Sequence, residues 1–461
     1  MKNALGRQVQ HWIARGRDRH IRLAVTGLSR AGKTAFITAL THQLLHSATQ
    51  DNLPLFQVAR EGRLLGAKRV LSPQLLTPSF AYEQGMAALS SQPPHWPEPT
   101  KDVSEISLAL RYQPNRGASK LLGQTATLQL DIVDYPGEWL LDLPMLTQDY
   151  ADWSSQQLAL MQGARQSFAG DFAAAVAKLE VNQSADESML ATLAAHYKDY
   201  LMACKQQGFQ WLQPGRMVLP GELEGAPVLA FFPVPWSLEV MKAAPAGSVG
   251  EVLLQRYSAY QQQVIRPFYR DYFTKFDRQV VLVDCLTPLN EGAEAFADLQ
   301  QALTQLMHSF RYGKRSLFRR FFSPRIDRVL FAATKADHVT PEQHCHLIAL
   351  LKQLIQSAQQ EAAFEGIGFD CMTLASIQAT KVGSVVYQGH RYPALQGIDL
   401  NGQTIQRYPG EVPAKLPNAE FWQRQGFSFL SFAPQPFEQG EKLPHIRMDK
   451  ALQFLLGDKV E

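Results

Sequence analysis

Gly27-Leu28-Ser29-Arg30-Ala31-Gly32-Lys33-Thr34 stands between the apolar run Ile21 to Val25 and the helix-forming Ala35-Phe36-Ile37-Thr38-Ala39-Leu40. A Gly-x-x-x-x-Gly-Lys-Thr loop that leaves a strand and enters a helix is a phosphate cradle. Glycines at both ends let backbone N–H groups turn inward toward an anion, and the following helix adds the positive end of its dipole. Ser29, Arg30, Ala31, Gly32, Lys33, Thr34 and Ala35 are therefore the expected phosphate-binding residues. Lys33 is expected to neutralise β and γ oxygens. Thr34 has the hydroxyl expected on Mg²⁺, a cation that prefers oxygen ligands shared with phosphates.

Three further segments follow in matching order. Leu128-Gln129-Leu130-Asp131-Ile132-Val133-Asp134 reads as a strand ending in an acid, and Tyr135-Pro136-Gly137 completes an Asp-x-x-Gly element. Asp134 is the expected outer partner of Mg²⁺, and Gly137 the expected N–H on a γ-phosphate. Arg328 to Ala333 forms another buried-strand pattern ending in Thr334-Lys335-Ala336-Asp337, which matches the guanine-reading [Asn/Thr]-Lys-x-Asp element of GTPases. A carboxylate at Asp337 accepts from both N1–H and the exocyclic amine of guanine, a donor pair that adenine lacks. The Lys335 stem is expected to lie along the base. After the strand Phe369 to Leu374, the Ala375-Ser376 turn offers a backbone N–H for guanine O6, although the usual order is Ser-Ala.

The stretches Gly27 to Phe36 and Asp131-Ile132-Val133-Asp134-Tyr135-Pro136-Gly137-Glu138-Trp139-Leu140 resemble the YcjX-like P-loop GTPases, bacterial proteins associated with envelope and heat stress. The resemblance extends over essentially the whole chain. It implies a Ras-like GTP-binding core with large insertions, a role in a bacterial stress response, and cytoplasmic residence beside an inner-membrane protein.

The succession of elements fits an α/β fold with a Ras-like P-loop NTPase core at 21–140 and 279–380, interrupted twice. The first interruption, within 48–104, occupies the place of an extended first switch loop. The second, 141–278, is rich in helix-forming residues between Gln156 and Lys205 and reads as a mainly helical insert. Glu105 to Arg111 and Thr125 to Asp134 read as an antiparallel edge hairpin around Pro114 to Gly117. Gln279 to Leu286 is a buried strand, and Glu291 to Phe310 an amphipathic crossover. Residues 1–20 form a basic, weakly amphipathic segment expected to be a docking helix. Residues 381–461 read as a small β-containing extension closing with a short helix near Ala451 to Leu456.

Composition narrows the function classes. The net charge of +3 is too small to argue for nucleic acid, which needs cations concentrated on one face. Cys204, Cys285, Cys345 and Cys371 show no paired spacing and read as reduced thiols. Met1 to His20 lacks the apolar core of a signal peptide, and no segment has the length and apolarity of a membrane span. Cytoplasmic residence with peripheral membrane contact is the expectation.

Several residues carry competing readings. Glu138, directly after Gly137, is either a catalytic, water-positioning carboxylate or a residue turned away from the triphosphate. Thr100, just before the second core strand, is the candidate switch threonine on Mg²⁺, with Thr77 as its competitor. Arg30 either shields charge in the loop or faces solvent. The run from Phe310 to Arg325 interleaves cations and aromatics and suits an anionic lipid surface, though a core-packed helix end fits better. His344 and His346 point in different directions on a helix and do not form a shared metal site. The reading is a GTP-hydrolysing, Mg²⁺-dependent switch. Its alternatives are an ATPase of the same fold and a slow, nucleotide-stabilised scaffold at the inner membrane.

Overall fold

The computed structural model describes residues 19–28, 30–72, 74–115, 125–310, 326–356, 359–360, 366–424, 426–438 and 440–461. Ser29, residues 1–18 of the basic amino-terminal segment and residues 311–325 of the aromatic-basic run lie outside these.

One sheet organises the molecule. Its seven strands are β1 (Arg19–Gly27), β2 (Leu64–Val70), β3 (Ser104–Tyr112), β4 (Ala126–Asp134), β5 (Arg278–Val283), β6 (Arg328–Ala333) and β7 (Gly368–Thr373), arranged β2-β3-β4-β1-β5-β6-β7. Pairing is parallel from β4 through β1, β5 and β6 to β7, while β3 runs antiparallel to both of its neighbours. The central strands are apolar on both faces, as a sheet covered on both sides requires. In β1, Ile21, Leu23 and Val25 pack on one face and Ala24 on the other.

β2 is absent from the sequence reading, which leaves 48–104 as a loop. Most of its residues are at least partly exposed, with Lys68 and Arg69 outward, so it shows no periodic apolar signal. Charged side chains on an exposed edge discourage further strand pairing.

On one face of the sheet lie α1 (Lys33–Leu45), the short helix Tyr82–Leu89 and the closing helix Met448–Leu456, sharing a core with Leu23, Leu130, Leu282 and Leu330. The closing helix is anchored there: Tyr112 donates to the Lys459 carbonyl at 2.9 Å, and the fully buried Arg278 pairs with Asp458 at 2.8 Å. The other face carries the helices Ala293–Phe310 and His344–Leu354 and the helical segment that follows β4.

That segment begins with the 3₁₀ stretch Gly137–Thr147 and continues through Tyr150–Leu160, Gln166–Val176, the long α2 (Glu187–Gln206) and Val249–Ala259. Trp153, Tyr197, Phe231 and Tyr257 fill its centre, with rings meeting at 5.4 to 6.4 Å from Trp153. Asp142 ties its start to its middle, accepting from the Gly215 amide at 2.7 Å and the Tyr260 hydroxyl at 2.5 Å. Between β7 and the closing helix, β8 (Thr380–Tyr387), β9 (His390–Asp399), β10 (Thr404–Arg407) and β11 (Phe432–Ala433) form a second sheet in which β9 pairs antiparallel with the other three.

Candidate functional site

In an open, mostly parallel sheet ligands bind beyond the carboxyl ends of the strands. A cavity of about 600 Å³ opens there. Its walls include Arg30, Ala31, Gly32, Lys33, Thr34, Ala35, Thr100, Glu138, Thr334, Lys335, Asp337, Ala375 and Ser376. Five remote stretches singled out in the sequence thus meet around one space. Thr100 rather than Thr77 is part of that wall.

The loop after β1 turns through left-handed conformations at Arg30 (φ 63°) and Gly32 (φ 84°). At Gly32 such a φ is free of side-chain strain. α1 starts directly after it with no side-chain cap and no acid in its first turn, so the positive end of the helix faces the cavity uncompensated. The Lys33 ammonium lies 3.0 Å from the Gly27 carbonyl oxygen.

Three oxygens gather beside it. Thr34 and Thr100 hydroxyls are 3.2 Å apart, and Thr100 donates to Asp134 Oδ2 at 2.5 Å. The other Asp134 oxygen, Oδ1, is buried without a hydrogen-bond partner. Burial pushes this carboxyl up to about 6, against the opposing pull of Lys33 and Thr100. Two hydroxyls and a carboxylate with an unspent buried oxygen fit a hard, oxygen-preferring cation such as Mg²⁺.

Glu138 is buried at the cavity wall and receives Lys205 of α2 at 2.8 Å. Burial alone raises its carboxyl, but Lys205 and Lys33 outweigh that and hold it below the usual range. Gly137 lies against the loop: a Cβ there would meet the Gly27 carbonyl oxygen at 2.0 Å.

At the opposite end, Lys335 adopts a left-handed backbone (φ 58°) and its ammonium pairs with Asp284 at 2.6 Å. Burial opposes charge on Asp284, yet Lys335 and Thr287 keep its carboxyl below the ordinary value. Asp337 is buried; its Oδ2 accepts from the Ala379 amide at 2.7 Å, and its carbonyl accepts from the Thr380 hydroxyl at 2.5 Å. The Ala375 amide is engaged with the Ile446 carbonyl at 3.1 Å.

Other wall residues escaped the sequence reading. Trp96 and Phe432 both line the cavity, and the Trp96 indole donates to the Phe432 carbonyl at 2.9 Å, linking the 93–99 loop to the second sheet. The His338 ring meets Phe432 edge-on at 5.2 Å. No local motif marks these positions, and Lys205 reads in sequence as an ordinary last-turn helix cation.

These features define an α/β protein whose mostly parallel sheet opens, at its strand ends, on a cavity flanked by a glycine-bounded phosphate-type loop. The chain belongs to the YcjX-like family, DUF463, whose model matches residues 21–460. It is 52% identical over 453 residues to the "Ras-like GTPase YcjX" of Escherichia coli (strain K12), covering 97% of each chain. To the "Ras-like GTPase YcjX" of Shewanella oneidensis it is 47% identical over 473 residues, covering 98% of this chain and 97% of that protein.

Proposed function

We propose that this protein binds GTP and GDP, hydrolyses GTP to GDP and phosphate with Mg²⁺, and changes its loop contacts when the γ-phosphate leaves. The observation that supports this above the rest is the convergence of residues 30–35, Thr100, Glu138, Thr334, Lys335 and Asp337 on one cavity. The name carried by both similar proteins, Ras-like GTPase, agrees with it.

Phosphoryl transfer of this kind is mostly positioning and charge neutralisation. Residues 30–35 cradle the phosphates through backbone amides, and Lys33 leaves the Gly27 carbonyl for the β and γ oxygens. Thr34, Thr100 and Asp134 would hold Mg²⁺, which when bound would supply further neutralising charge at the phosphates. Gly137 offers its N–H to the γ-phosphate, and Glu138 orients the attacking water. Asp337, fixed from behind by Ala379, turns its remaining oxygen to the N1–H and amine of guanine. Lys335, held by Asp284, lays its stem along the base. With the Ala375 amide engaged, the O6 contact falls to Ser376. The cellular side of this reading, a stress-response switch near the inner membrane with a protein partner, rests on the family resemblance, and an anionic lipid partner on the run of cations and aromatics from Phe310 to Arg325. Among the described residues no helix is long and apolar enough to cross a membrane.

The Glu138–Lys205 pair favours a second reading, a slow scaffold in which the water-positioning carboxylate is held by a cation until a partner acts. The test is calorimetric titration of the purified protein with GTP, GDP and ATP, with phosphate release followed in parallel. GTP and GDP are expected to bind, and ATP at least about a hundredfold more weakly, because a site built to hydrogen-bond one base leaves buried groups unpaired against another. Equal ATP and GTP affinity would remove the guanine assignment. Tight GTP binding without turnover would favour the scaffold.

A further inference from the structure

A carboxylate at Glu138 beside a triphosphate would be repelled by it. The structure supplies a cation from an unexpected direction. Lys205, in the last turn of α2, lies in the wall of the same cavity and meets Glu138 at 2.8 Å. Both groups are sheltered, Glu138 with 6% and Lys205 with 20% side-chain exposure, so the attraction is weakly screened. The Glu138 backbone is held closely: a Cβ on Gly215 would meet its carbonyl oxygen at 2.0 Å. The next residue is also fixed, with the Trp139 indole donating to the Leu219 carbonyl at 2.9 Å and Arg216 stacked over its ring.

The other charges around Glu138 do not substitute for Lys205. Lys33 contributes less to holding Glu138 ionised and also acts on Asp134. On the same element, Asp142 is engaged by Tyr260 and by the Gly215 and Arg216 amides. Arg216 is paired with Glu222 at 3.1 Å. Arg30 and Lys101 line the cavity but form no ion pair with Glu138 among the described contacts.

We propose that Lys205 is a positioning residue supplied in cis by the helical segment, whose charge allows an ionised Glu138 to stand beside a bound triphosphate. This rests on the GTP-binding reading and deepens it: Glu138 faces the reacting phosphate, and Lys205 acts through Glu138. Without the cation, burial raises the Glu138 carboxyl. Its charged form then repels the γ-phosphate, and the repulsion grows as pH rises and Glu138 ionises. GDP, which lacks that phosphate, is affected less.

The test measures affinity for a non-hydrolysable GTP analogue and for GDP from pH 5.5 to 8.5. The full chain is compared as wild type, Lys205→Met, Lys205→Arg, Glu138→Gln and the Lys205→Met/Glu138→Gln double variant. Relative to wild type, Lys205→Met is expected to lose about tenfold more analogue affinity at pH 8.5 than at pH 5.5, the equivalent of about one pKa unit. Its GDP affinity is expected to change by less than about threefold, and Lys205→Arg to restore the wild-type profile. In the double variant the pH-dependent loss disappears. Lys205→Gln, which keeps a hydrogen-bond donor without the charge, provides the same comparison if Lys205→Met does not fold. A pH-independent loss, or a double variant as impaired as Lys205→Met, overturns the inference while leaving the GTP reading in place. A wild-type chain that fails to bind the analogue overturns the GTP reading itself.

Discussion

A Cβ on Gly137 would stand 2.0 Å from the carbonyl oxygen of Gly27, so the turn after β4 and the phosphate loop touch backbone to backbone. The same carbonyl accepts from Lys33 at 3.0 Å. Gly137→Ala must therefore push the two loops apart. Overpacking of this kind costs about 1–3 kcal/mol. The expected result is a lower denaturation midpoint and a GTP turnover reduced by at least about tenfold, given the sensitivity of transfer to sub-ångström placement. Unchanged stability and turnover would show that the approach is relaxed in solution.

Lys33→Ala and Thr34→Ala isolate charge from packing. Both side chains are partly exposed to the cavity rather than buried in the core. Stability is expected to stay within about 0.5 kcal/mol of wild type, while triphosphate affinity or turnover is lost. Either variant keeping wild-type binding and turnover while folded would remove the loop from the site.

Asp337→Asn exploits the fixed rear contact. The amide oxygen of Asn can still accept from Ala379, leaving its NH₂ toward the base. Xanthine presents an acceptor at C2 where guanine presents a donor, so preference should move from GTP to XTP. GTP affinity is expected to fall by about 10- to 100-fold, the range for hydrogen bonds lost to a charged acceptor. Competition binding with XTP checks it, and an unchanged GTP preference would mean that another residue reads the base.

The His20–Asp131 pair, 2.5 Å apart, sets a pH dependence away from the cavity. Its hydrogen bond to Asp131 raises His20 above its ordinary 6.5, so the contribution of His20 is complete below 6.5 and fades as pH climbs through the raised value. Burial works against Asp131, but bonds from His20 and Ser107 hold it below 3.8, so its contribution is complete above 3.8 and lost as pH falls through the lowered value. The stability difference between wild type and His20→Ala should be largest between pH 4 and 6.5 and smaller at pH 9. His20 is about half exposed, which limits the difference to under about 1 kcal/mol. Urea denaturation across pH tests it, and a difference growing above pH 7 would contradict it.

The phosphate loop, the Asp134 turn and the Thr334 to Asp337 stretch are legible because their chemistry demands particular residues at consecutive positions. The strands beneath them are legible because they are apolar on both faces. What was not legible arrives through tertiary packing. Lys205 lies 67 residues from Glu138, and Asp284 is 51 from Lys335, with no local pattern joining them. β2 is hidden by its exposure at the sheet edge. Trp96 and Phe432 meet only because the second sheet, itself only roughly foreseen, folds back over the strand ends.

Those tertiary links determine where a nucleotide-dependent change should travel. Thr100 is joined to Thr34 and Asp134, and Gly137 packs on Gly27, so in the proposed switch both segments should respond to whatever occupies the phosphate end. From Gly137 the chain enters the helical core at once: Trp139 bonds Leu219, Gln213 bonds the Leu141 carbonyl, and Gly215 bonds Asp142. From the 93–99 loop, Trp96 leads to Phe432 of the second sheet. Hydrogen exchange with GDP and with a non-hydrolysable GTP analogue should therefore differ within 48–104 and 135–145, with smaller differences at 213–219 and near Phe432. The differences should be largest at the two loops, because in the proposed switch their contacts to the γ-phosphate exist only while that phosphate is present. Lys205→Met should weaken the response at 213–219 more than that near Phe432, since only the first path includes the Glu138 pair. Equal protection of both loops in the two nucleotide states would remove the switch and leave the scaffold reading.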